Sequence, residues 1–403
     1  MDLHELVRIP SVARARRIIG ETDAQTLADQ AELAAIPAPP FGEAARAERI
    51  GVRFDEIGLA DVATDAEGNV LARLPTAEAA TGNGGPGVVL LAAHLDTVFP
   101  AHTPLDVRRE GSRLCAPGIA DNARGLAALL TLARALVRAR VATRRPVVFA
   151  ATVGEEGIGD LRGVKHLFRE GSRWREAAGF ITLDGTGRRR IVHRALGSRR
   201  LRAVVRGPGG HSWADWGVAN PIHALGPAVA ELARIVPPRR PRTTLSVGRI
   251  GGGTSVNAIP GEAWLEVDLR SEDPRTLGDL EARVRYTIED AIHRANARRR
   301  RGTSALELRI DVIGDRPSGQ TPRDADIVVA ACAATRFIGE APELIASSTD
   351  ANLPIALGIP AIAIGAGGRS GGTHTPFEWY DNEGGPDGIQ RALLTVLAIA
   401  GAA

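Results

Sequence analysis

The stretch Val88–Pro100, VVLLAAHLDTVFP, begins with a continuous apolar run and continues into two polar side chains. An apolar run of this length is typical of a buried strand. His94 and Asp96 are two residues apart, and the two-residue period of a strand places both side chains on one face. The pair is either a hydrogen-bonded structural feature or part of a metal site, since histidine is the commonest metal ligand.

Strand-like and helix-like segments alternate through both ends of the chain. The strand-like apolar segments are 87–94, 146–153, 178–184 and 359–367, and the clearest amphipathic helix is 125–139. Alternation of this kind predicts a mostly parallel sheet flanked by helices. The polar, Gly-rich residues 76–87 predict a turn before the first of these strands.

The middle of the chain has a different order of elements. Residues 198–313 predict a strand, a helix, two strands, a helix and a strand, which is the split ferredoxin-like pattern. The chain has 403 residues, which is more than one ordinary hydrophobic core contains. We therefore predict a large α/β domain formed by 1–197 and 314–403, and a small α+β domain inserted at 198–313.

The composition argues against several functional classes. All but one of the 50 basic residues are arginine, and 47 acidic residues balance them. Aromatic residues do not interleave with the arginine runs at 188–190, 239–242 and 298–301, so we predict no nucleic-acid partner. No apolar run reaches the ~18 residues of a membrane span, and the two cysteines match no ligand spacing. We expect a cytoplasmic protein without a membrane anchor.

Acidic residues and histidines follow the predicted strands of the large domain. Ligands bind beyond the carboxyl ends of the strands in an open α/β sheet. Each residue alone has an ordinary alternative, because Asp121 can cap a helix and Asp184 can form a turn. The candidates nevertheless come from five separate loops: His94 with Asp96, Asp121, Glu155 with Glu156, Asp184, and His374. This recurrence favours one shared site.

The residue types suit a site for two metal ions. Two cations about 3.5–4 Å apart need a bridging carboxylate with imidazole or carboxylate ligands on either side, and zinc accepts both kinds of ligand. One carboxylate should stay off the metals as a general base. Of the adjacent Glu155 and Glu156, one can bind a metal while the other faces the bound water.

The sequence resembles the co-catalytic zinc peptidases, a family that includes tripeptidase T, glutamate carboxypeptidase, aminoacylase and succinyl-diaminopimelate desuccinylase. The motifs that carry the resemblance are, in chain order, HLDTVFP, GIADNARG, VGEEG, LDG, RGPGGHSW, GGTSVNAIP, DLR, SSTDAN and GGTHTPFEWYD. The resemblance covers essentially the whole chain. It implies a zinc-peptidase catalytic domain, an inserted lid or dimerisation domain, and a homodimer.

The resemblance implies a role for each candidate in the large domain. The implied ligands are His94, Asp121 and Asp184 for one zinc ion, and Asp121, Glu156 and His374 for the other, with Asp121 bridging. Glu155 would be the general base, and Asp96 would orient His94 without binding a metal. Cobalt or manganese could replace zinc among nitrogen and oxygen ligands of this kind.

The resemblance also implies roles in the inserted domain. His211 would help to hold the oxyanion, and in dimeric members of the family this histidine comes from the neighbouring subunit. Asn257 and Arg270 would bind the substrate near its carboxylate, and Arg316 is a further candidate for substrate binding. The ordinary alternative for Arg270 is an ion pair at a strand end.

Two residues bear on the substrate. The family's aminopeptidases and dipeptidases have aspartate at the position of Asp184, where its deacylases and carboxypeptidases usually have glutamate. Asn122 follows the bridging aspartate, as in tripeptidase T. We therefore predict a tripeptidase-like aminopeptidase that acts on short peptides, with an N-acyl amino acid deacylase or carboxypeptidase as the alternative. A non-enzymatic binding protein on this fold is a remote alternative, because every implied catalytic residue is present.

Overall fold

The computed structural model describes residues 3–75 and 87–402. The chain divides into two compact units, one formed by Met1–Ala195 with Gln320–Ala403 and the other by Leu196–Gly319. The turn predicted at 76–87 lies, except for Gly87, outside the described residues. Among the helices described, none is both long enough and apolar enough to cross a membrane.

The elements follow the chain in this order. The helices are α1 (Leu3–Leu6), α2 (Pro10–Glu21), α3 (Asp23–Ala34), α4 (Ala44–Ile57), α5 (Ala123–Ala139), α6 (Arg162–Leu167), α7 (Pro221–Leu232), α8 (Pro274–Ala297), α9 (Asp326–Phe337), α10 (Asn352–Ala356) and α11 (Gly385–Ala400). The strands are β1 (Ala60–Thr64), β2 (Val70–Arg73), β3 (Val89–His94), β4 (Arg108–Glu110), β5 (Arg113–Cys115), β6 (Val147–Thr152), β7 (Gly179–Leu183), β8 (Arg190–Ala195), β9 (Gly197–Arg206), β10 (Gly210–His211), β11 (Thr243–Gly252), β12 (Ala258–Ile259), β13 (Glu262–Ser271), β14 (Glu307–Arg316), β15 (Gly319–Gln320), β16 (Glu343–Ser347), β17 (Ala361–Ile364), β18 (Arg369–Gly371) and β19 (Trp379–Asp381).

The large unit is built on a mixed sheet with the strand order β1-β2-β6-β3-β7-β17-β8-β15, in which β16 also pairs with β8. The four central strands β6, β3, β7 and β17 are parallel, so their carboxyl ends meet at one edge. The flanking strands β2 and β8 are antiparallel to this group. The predicted α/β class with a mostly parallel central sheet is confirmed.

Strand β3 shows why the apolar run at the start of VVLLAAHLDTVFP lies inside the protein. All six of its residues are buried. Alternate side chains pack into two different cores: Leu91 and Ala93 join the core that contains α5 and α11, and Leu90 and Ala92 join the core that contains α6 and α10. The strand is therefore covered by helices on both faces, as is usual for parallel sheets.

A second, small sheet supports the loop that carries His374. Its order is β18-β19-β5-β4, and β18 and β19 are antiparallel neighbours on either side of His374. Strand β5 pairs with β19 and precedes the loop of Asp121. This sheet is not apparent from the sequence, because its strands have only three residues each.

The inserted unit contains a four-stranded antiparallel sheet with the order β11-β13-β9-β14. Helices α7 and α8 pack against it and share its apolar core. Strand β13 alternates buried and partly exposed residues along its length, as expected for a sheet with one covered face. The element order is the predicted ferredoxin-like one.

Candidate metal centre and active site

The loops at the carboxyl edge of the central strands bring the candidate residues of the large unit together. His94 is the last residue of β3, Glu155 and Glu156 follow β6, and Asp184 follows β7. Because β6, β3 and β7 are adjacent and parallel, these residues reach one edge of the sheet. Asp121, before α5, and His374, after β17, complete the cluster.

Asp121 lies between the two histidines. One carboxylate oxygen is 3.1 Å from Nε2 of His94, and the other is 3.2 Å from Nε2 of His374. Nε2 of His374 also lies 2.9 Å from the Glu156 carboxylate. The side chain of His94 is 1% exposed, whereas that of His374 is 49% exposed. The cluster therefore has a buried side and an open side.

Three overlapping sets of side chains could each hold a cation. The sets are His94, Asp121 and Asp184; Asp121, Glu156 and His374; and His94, Glu155 and Glu156, each with its ligand atoms within 4.8 Å of one another. The first two share Asp121 and match the ligands implied by the resemblance. Glu155 belongs only to the third set and is buried beside His94. All donors are nitrogen or carboxylate oxygen, which fits zinc, cobalt or manganese.

The electrostatics of the cluster favour a bound cation. Burial, together with the neighbouring Asp121 carboxylate, raises the pKa of Asp184 to about 7. Hydrogen bonds to Asp121 and Glu156 raise the pKa of His374 to about 10. Burial opposes the charged form of His94, but the Asp121 and Asp96 carboxylates still raise its pKa. The metal-free cluster thus retains protons that divalent cations would displace.

Asp96 contacts both the histidine and the glutamate loop. Nδ1 of His94 is 3.0 Å from the backbone oxygen of Asp96 and 3.5 Å from its carboxylate. The same carboxylate accepts the backbone N–H groups of Glu155 and Glu156 at 2.9 and 2.7 Å. Asp96 is fully buried, so it fixes the positions of β3 and of the loop after β6 relative to each other.

Asn122, rather than Asp121, caps helix α5. Its side-chain oxygen accepts the N–H of Gly125 at 3.1 Å, and its amide group donates to the backbone oxygen of Leu183 at 2.9 Å. The peptide bond between Asp121 and Asn122 is cis. The cap therefore leaves the Asp121 carboxylate available to the histidines, and the ordinary alternative of a capping role does not apply.

Glu378 is a buried residue of the site that the sequence analysis missed. It is fully buried, and its carboxylate accepts three backbone N–H groups, from Gly118 at 3.0 Å and from Ala120 and Asp121 at 2.9 Å. Burial raises its pKa to about 7, against the effect of these three donors. Glu378 thereby joins the His374 segment to the Asp121 loop. No periodicity in the sequence points to it.

Arg46 is a second buried charged residue that the sequence does not indicate. Like Glu378, it forms hydrogen bonds to backbone groups beside a candidate metal ligand. It lies in α4, is fully buried, and donates to the backbone oxygen of Leu95 at 2.8 Å and to that of Ile36. Burial lowers its pKa to about 10, while the Asp96 carboxylate acts in the opposite direction. Arg46 holds the chain between His94 and Asp96. A helical arginine in an arginine-rich sequence gives no signal of this role.

The inserted unit places its four candidates at two ends. His211, in β10, and Asn257, directly before β12, are exposed at one end, whereas Arg270 and Arg316 both pair with Ser198 of β9 at the other. Strand β9 separates the two groups by roughly 25 Å, at ~3.3 Å per residue. One copy of this unit therefore does not bring all four together.

Two contacts within the inserted unit bear on these residues. Nδ1 of His211 accepts the backbone N–H groups of Trp213 and Ala214 at 3.2 and 3.4 Å. A neutral His211 therefore carries its proton on Nε2. Arg270 is partly exposed and donates to Asp268 at 2.8 Å, which is the ion pair considered as its ordinary alternative.

Known proteins with similar sequence or structure include hydrolases. A succinyl-diaminopimelate desuccinylase from Xanthomonas oryzae is 33% identical over 211 residues, which is 47% of this chain and 54% of that protein. The matched region thus spans about half the length of that curated relative.

Solved structures of other proteins superpose on this chain over most of its length. A tripeptidase from Staphylococcus aureus superposes with a TM-score of 0.73 at 21% identity, covering 93% of this chain and 98% of that one. A dinuclear metal-binding peptidase from Bacillus subtilis superposes with a TM-score of 0.64 at 18% identity, covering 94% and 99%. At these identities the likeness shows the shared fold.

The family follows from a match to most of the chain. The family model described as Peptidase family M20/M25/M40 matches residues 90–398, from strand β3 to helix α11. This region contains every candidate ligand at the edge of the central sheet. The chain belongs to the peptidase family M20/M25/M40.

Proposed function

We propose that the protein hydrolyses an amide bond in short peptides with two divalent cations, zinc in the first instance. The observation that carries the proposal is the position of Asp121, whose two carboxylate oxygens each lie beside a different histidine. A carboxylate shared in this way is what a two-metal site requires. His94 and Asp184 would complete one ligand set, and Glu156 and His374 the other.

The chain's own residues suggest how the proton moves. Two bound cations would lower the pKa of a water molecule between them and polarise the amide carbonyl group. Glu155 is the base that we assign, because it is buried at the cluster and lies outside both sets that share Asp121. Its carboxylate would take the proton of the attacking water and return it to the leaving nitrogen.

The inserted unit would supply the remaining groups. We assign His211 to the developing oxyanion, because its Nδ1 already accepts backbone donors and leaves the Nε2 proton available. Arg270, Arg316 and Asn257 are our candidates for the substrate carboxylate. Since His211 and Arg270 lie at opposite ends of β9, we propose a homodimer in which each substrate meets His211 of the partner subunit.

We favour an aminopeptidase of the tripeptidase type, because the terminal ligand Asp184 is an aspartate. An N-acyl amino acid deacylase is the second candidate, and the desuccinylase among the relatives favours it. The fold is common to both kinds of enzyme and does not decide between them.

One tripeptide distinguishes these reactions. The peptide is offered to the metal-loaded protein with a free N-terminus and with an acetylated N-terminus, beside a chelator-treated control. We expect cleavage of the free form alone, with release of the first residue, and no cleavage after chelation. Release of acetate would establish the deacylase, and release of the C-terminal residue would establish a carboxypeptidase. Undiminished cleavage after exhaustive metal removal would contradict the two-metal proposal.

A further inference from the structure

The segment that runs from the end of β6 into the first turn of α6 carries both candidate glutamates, and its two ends meet. We call residues 153–163 the glutamate loop, since Glu155 and Glu156 lie in it. The N–H of Gly163 donates to the backbone oxygen of Val153 at 3.0 Å, which closes the loop. The positions of the two glutamates therefore depend on what holds this closure.

Part of the glutamate loop has a backbone conformation that its own residues do not favour. Asp160 and Leu161 have φ angles of +52° and +60°, in the left-handed region that residues other than glycine rarely adopt. Leu161 is also fully buried. Conformations of this kind persist only where the surrounding structure enforces them, so contacts with the rest of the chain determine the shape of the loop.

Asn69, the residue before β2, binds both ends of the closure with one side chain. It is fully buried. Its Oδ1 accepts the N–H of Val153 at 3.0 Å, and its Nδ2 donates to the backbone oxygen of Gly163 at 3.1 Å. A Cβ atom on Gly163 would lie 2.3 Å from this Oδ1, so a side chain at that position would displace the Asn69 amide.

A tight turn fixes the Asn69 amide in turn. The second N–H of the amide donates to Oδ2 of Asp65 at 2.7 Å, so both donors of the side chain are used. Oδ1 of Asp65 accepts the backbone N–H groups of Glu67, Gly68 and Asn69 at 2.9, 3.0 and 3.0 Å. The Asp65 N–H donates back to the oxygen of Asn69 at 2.9 Å. The loop is therefore attached to a rigid support.

The two ligand sets that share Asp121 depend differently on the glutamate loop. One set takes Glu156 from the loop, together with Asp121 and His374, whereas the other consists of Asp121, His94 and Asp184 and contains no loop residue. A change at the closure should thus disturb one cation and leave the other in place. General loss of stability would not distinguish between them.

We propose that Asn69 is a positioning residue of the metal centre. By holding both ends of the glutamate loop, it sets where the Glu155 and Glu156 carboxylates lie relative to the cations. The inference rests on the proposed function for the roles of these two residues, Glu155 as the base and Glu156 as a ligand.

Cobalt titration of the metal-free protein, followed by visible absorption, measures the affinity of each cation. Asn69→Ala should weaken one of the two cations about 10–100-fold and leave the other at its wild-type affinity. The weakened cation should be the one that His374→Ala removes, so adding Asn69→Ala to His374→Ala should not change the single affinity that remains. At saturating metal, kcat should still be about 10–100-fold lower, with KM unchanged, because Glu155 is displaced.

A second variant and a control accompany this substitution. Asn69→Asp keeps the shape and the acceptor for the Val153 N–H but loses both donors, and it should weaken the same cation. The matched control is Asn296→Ala in α8, because Asn296 likewise joins two backbone groups, accepting the N–H of Leu306 at 2.7 Å and donating to its oxygen at 3.1 Å. The control should keep both affinities and kcat even where it lowers the melting temperature.

The outcomes separate this inference from the proposed function. Equal weakening of both cations, unchanged affinities, or a wild-type kcat at saturating metal would overturn the role of Asn69 and leave the proposed function intact. Selective weakening in a protein that cleaves no peptide would support the role of Asn69 while the proposed function fails. A wild type that binds a single cation would overturn both.

Discussion

Glu378 gives the sharpest test of how the fold holds the metal ligands. The substitution Glu378→Gln keeps the shape of the side chain but replaces one acceptor oxygen with an NH₂ group. The remaining oxygen can keep the N–H groups of Ala120 and Asp121, and the new amide then faces the N–H of Gly118. One charge-assisted hydrogen bond is lost, and two buried donors, the Gly118 N–H and the new NH₂ group, face each other without an acceptor between them.

The lost hydrogen bonding sets the expected loss of stability. Losing such a bond and stranding a buried donor costs about 2–4 kcal/mol of the free energy of unfolding. At ~2 °C per kcal/mol for a unit of this size, the melting temperature should fall by about 4–8 °C. The Asp121 loop would also lose part of its support, so we expect metal affinity to fall about 10–100-fold.

The assay is metal titration followed by thermal unfolding, at pH 8, where the Glu378 carboxylate is ionised. Glu383→Gln is the matched control, since Glu383 lies on the same segment, is 57% exposed and, among the described residues, forms its ion pair with the exposed Arg369 alone. The control should behave as the wild type. A Glu378→Gln protein with unchanged metal affinity and melting temperature would refute the idea that Glu378 positions the Asp121 loop.

Three further perturbations test the assigned roles. Glu155→Gln should lower kcat by about 10²–10⁴-fold, as expected for a lost general base, while both metals stay bound; loss of metal would mean that Glu155 and Glu156 have exchanged roles. Asp96→Asn removes one of the two carboxylate oxygens that accept the backbone N–H groups of Glu155 and Glu156. Metal affinity should therefore fall about 10–100-fold, whereas wild-type affinity would mean that Asp96 does not position the ligands. Neighbouring carboxylates raise the pKa of His94 and raise that of His374 to about 10. Since a metal ion must displace the protons on these histidines, metal affinity should rise from pH 6 to pH 9. Calorimetry in two buffers that shows no proton release on metal binding would contradict this.

The parts of the fold with strong periodicity were predictable from sequence. The continuous apolar run of β3 predicts a strand covered on both faces, and the structure buries all of its residues. Strand β8 was not predicted, because it begins with the last arginine of a basic run and His193 and Arg194 interrupt its apolar residues. Tertiary pairing with β16 and β17 makes it a strand, and local pattern does not reveal such pairing.

The candidate site also contains residues that a sequence pattern indicates and residues that only the folded structure shows. The candidate ligands were recognisable because imidazole and carboxylate groups follow strands whose ends meet at one edge. Glu378 and Arg46 were not recognisable, since they act on backbone groups far away in sequence. A buried charge that holds a loop has the same sequence appearance as an exposed one, and only the folded structure shows which loop it contacts.

The most direct test of the central claim is the number of metal ions bound per chain. Elemental analysis of the zinc-loaded protein, after removal of free metal, should give two equivalents for the wild type and one for Asp184→Ala and for His374→Ala. Two equivalents in both variants, or a single equivalent in the wild type, would contradict a two-metal site that shares Asp121.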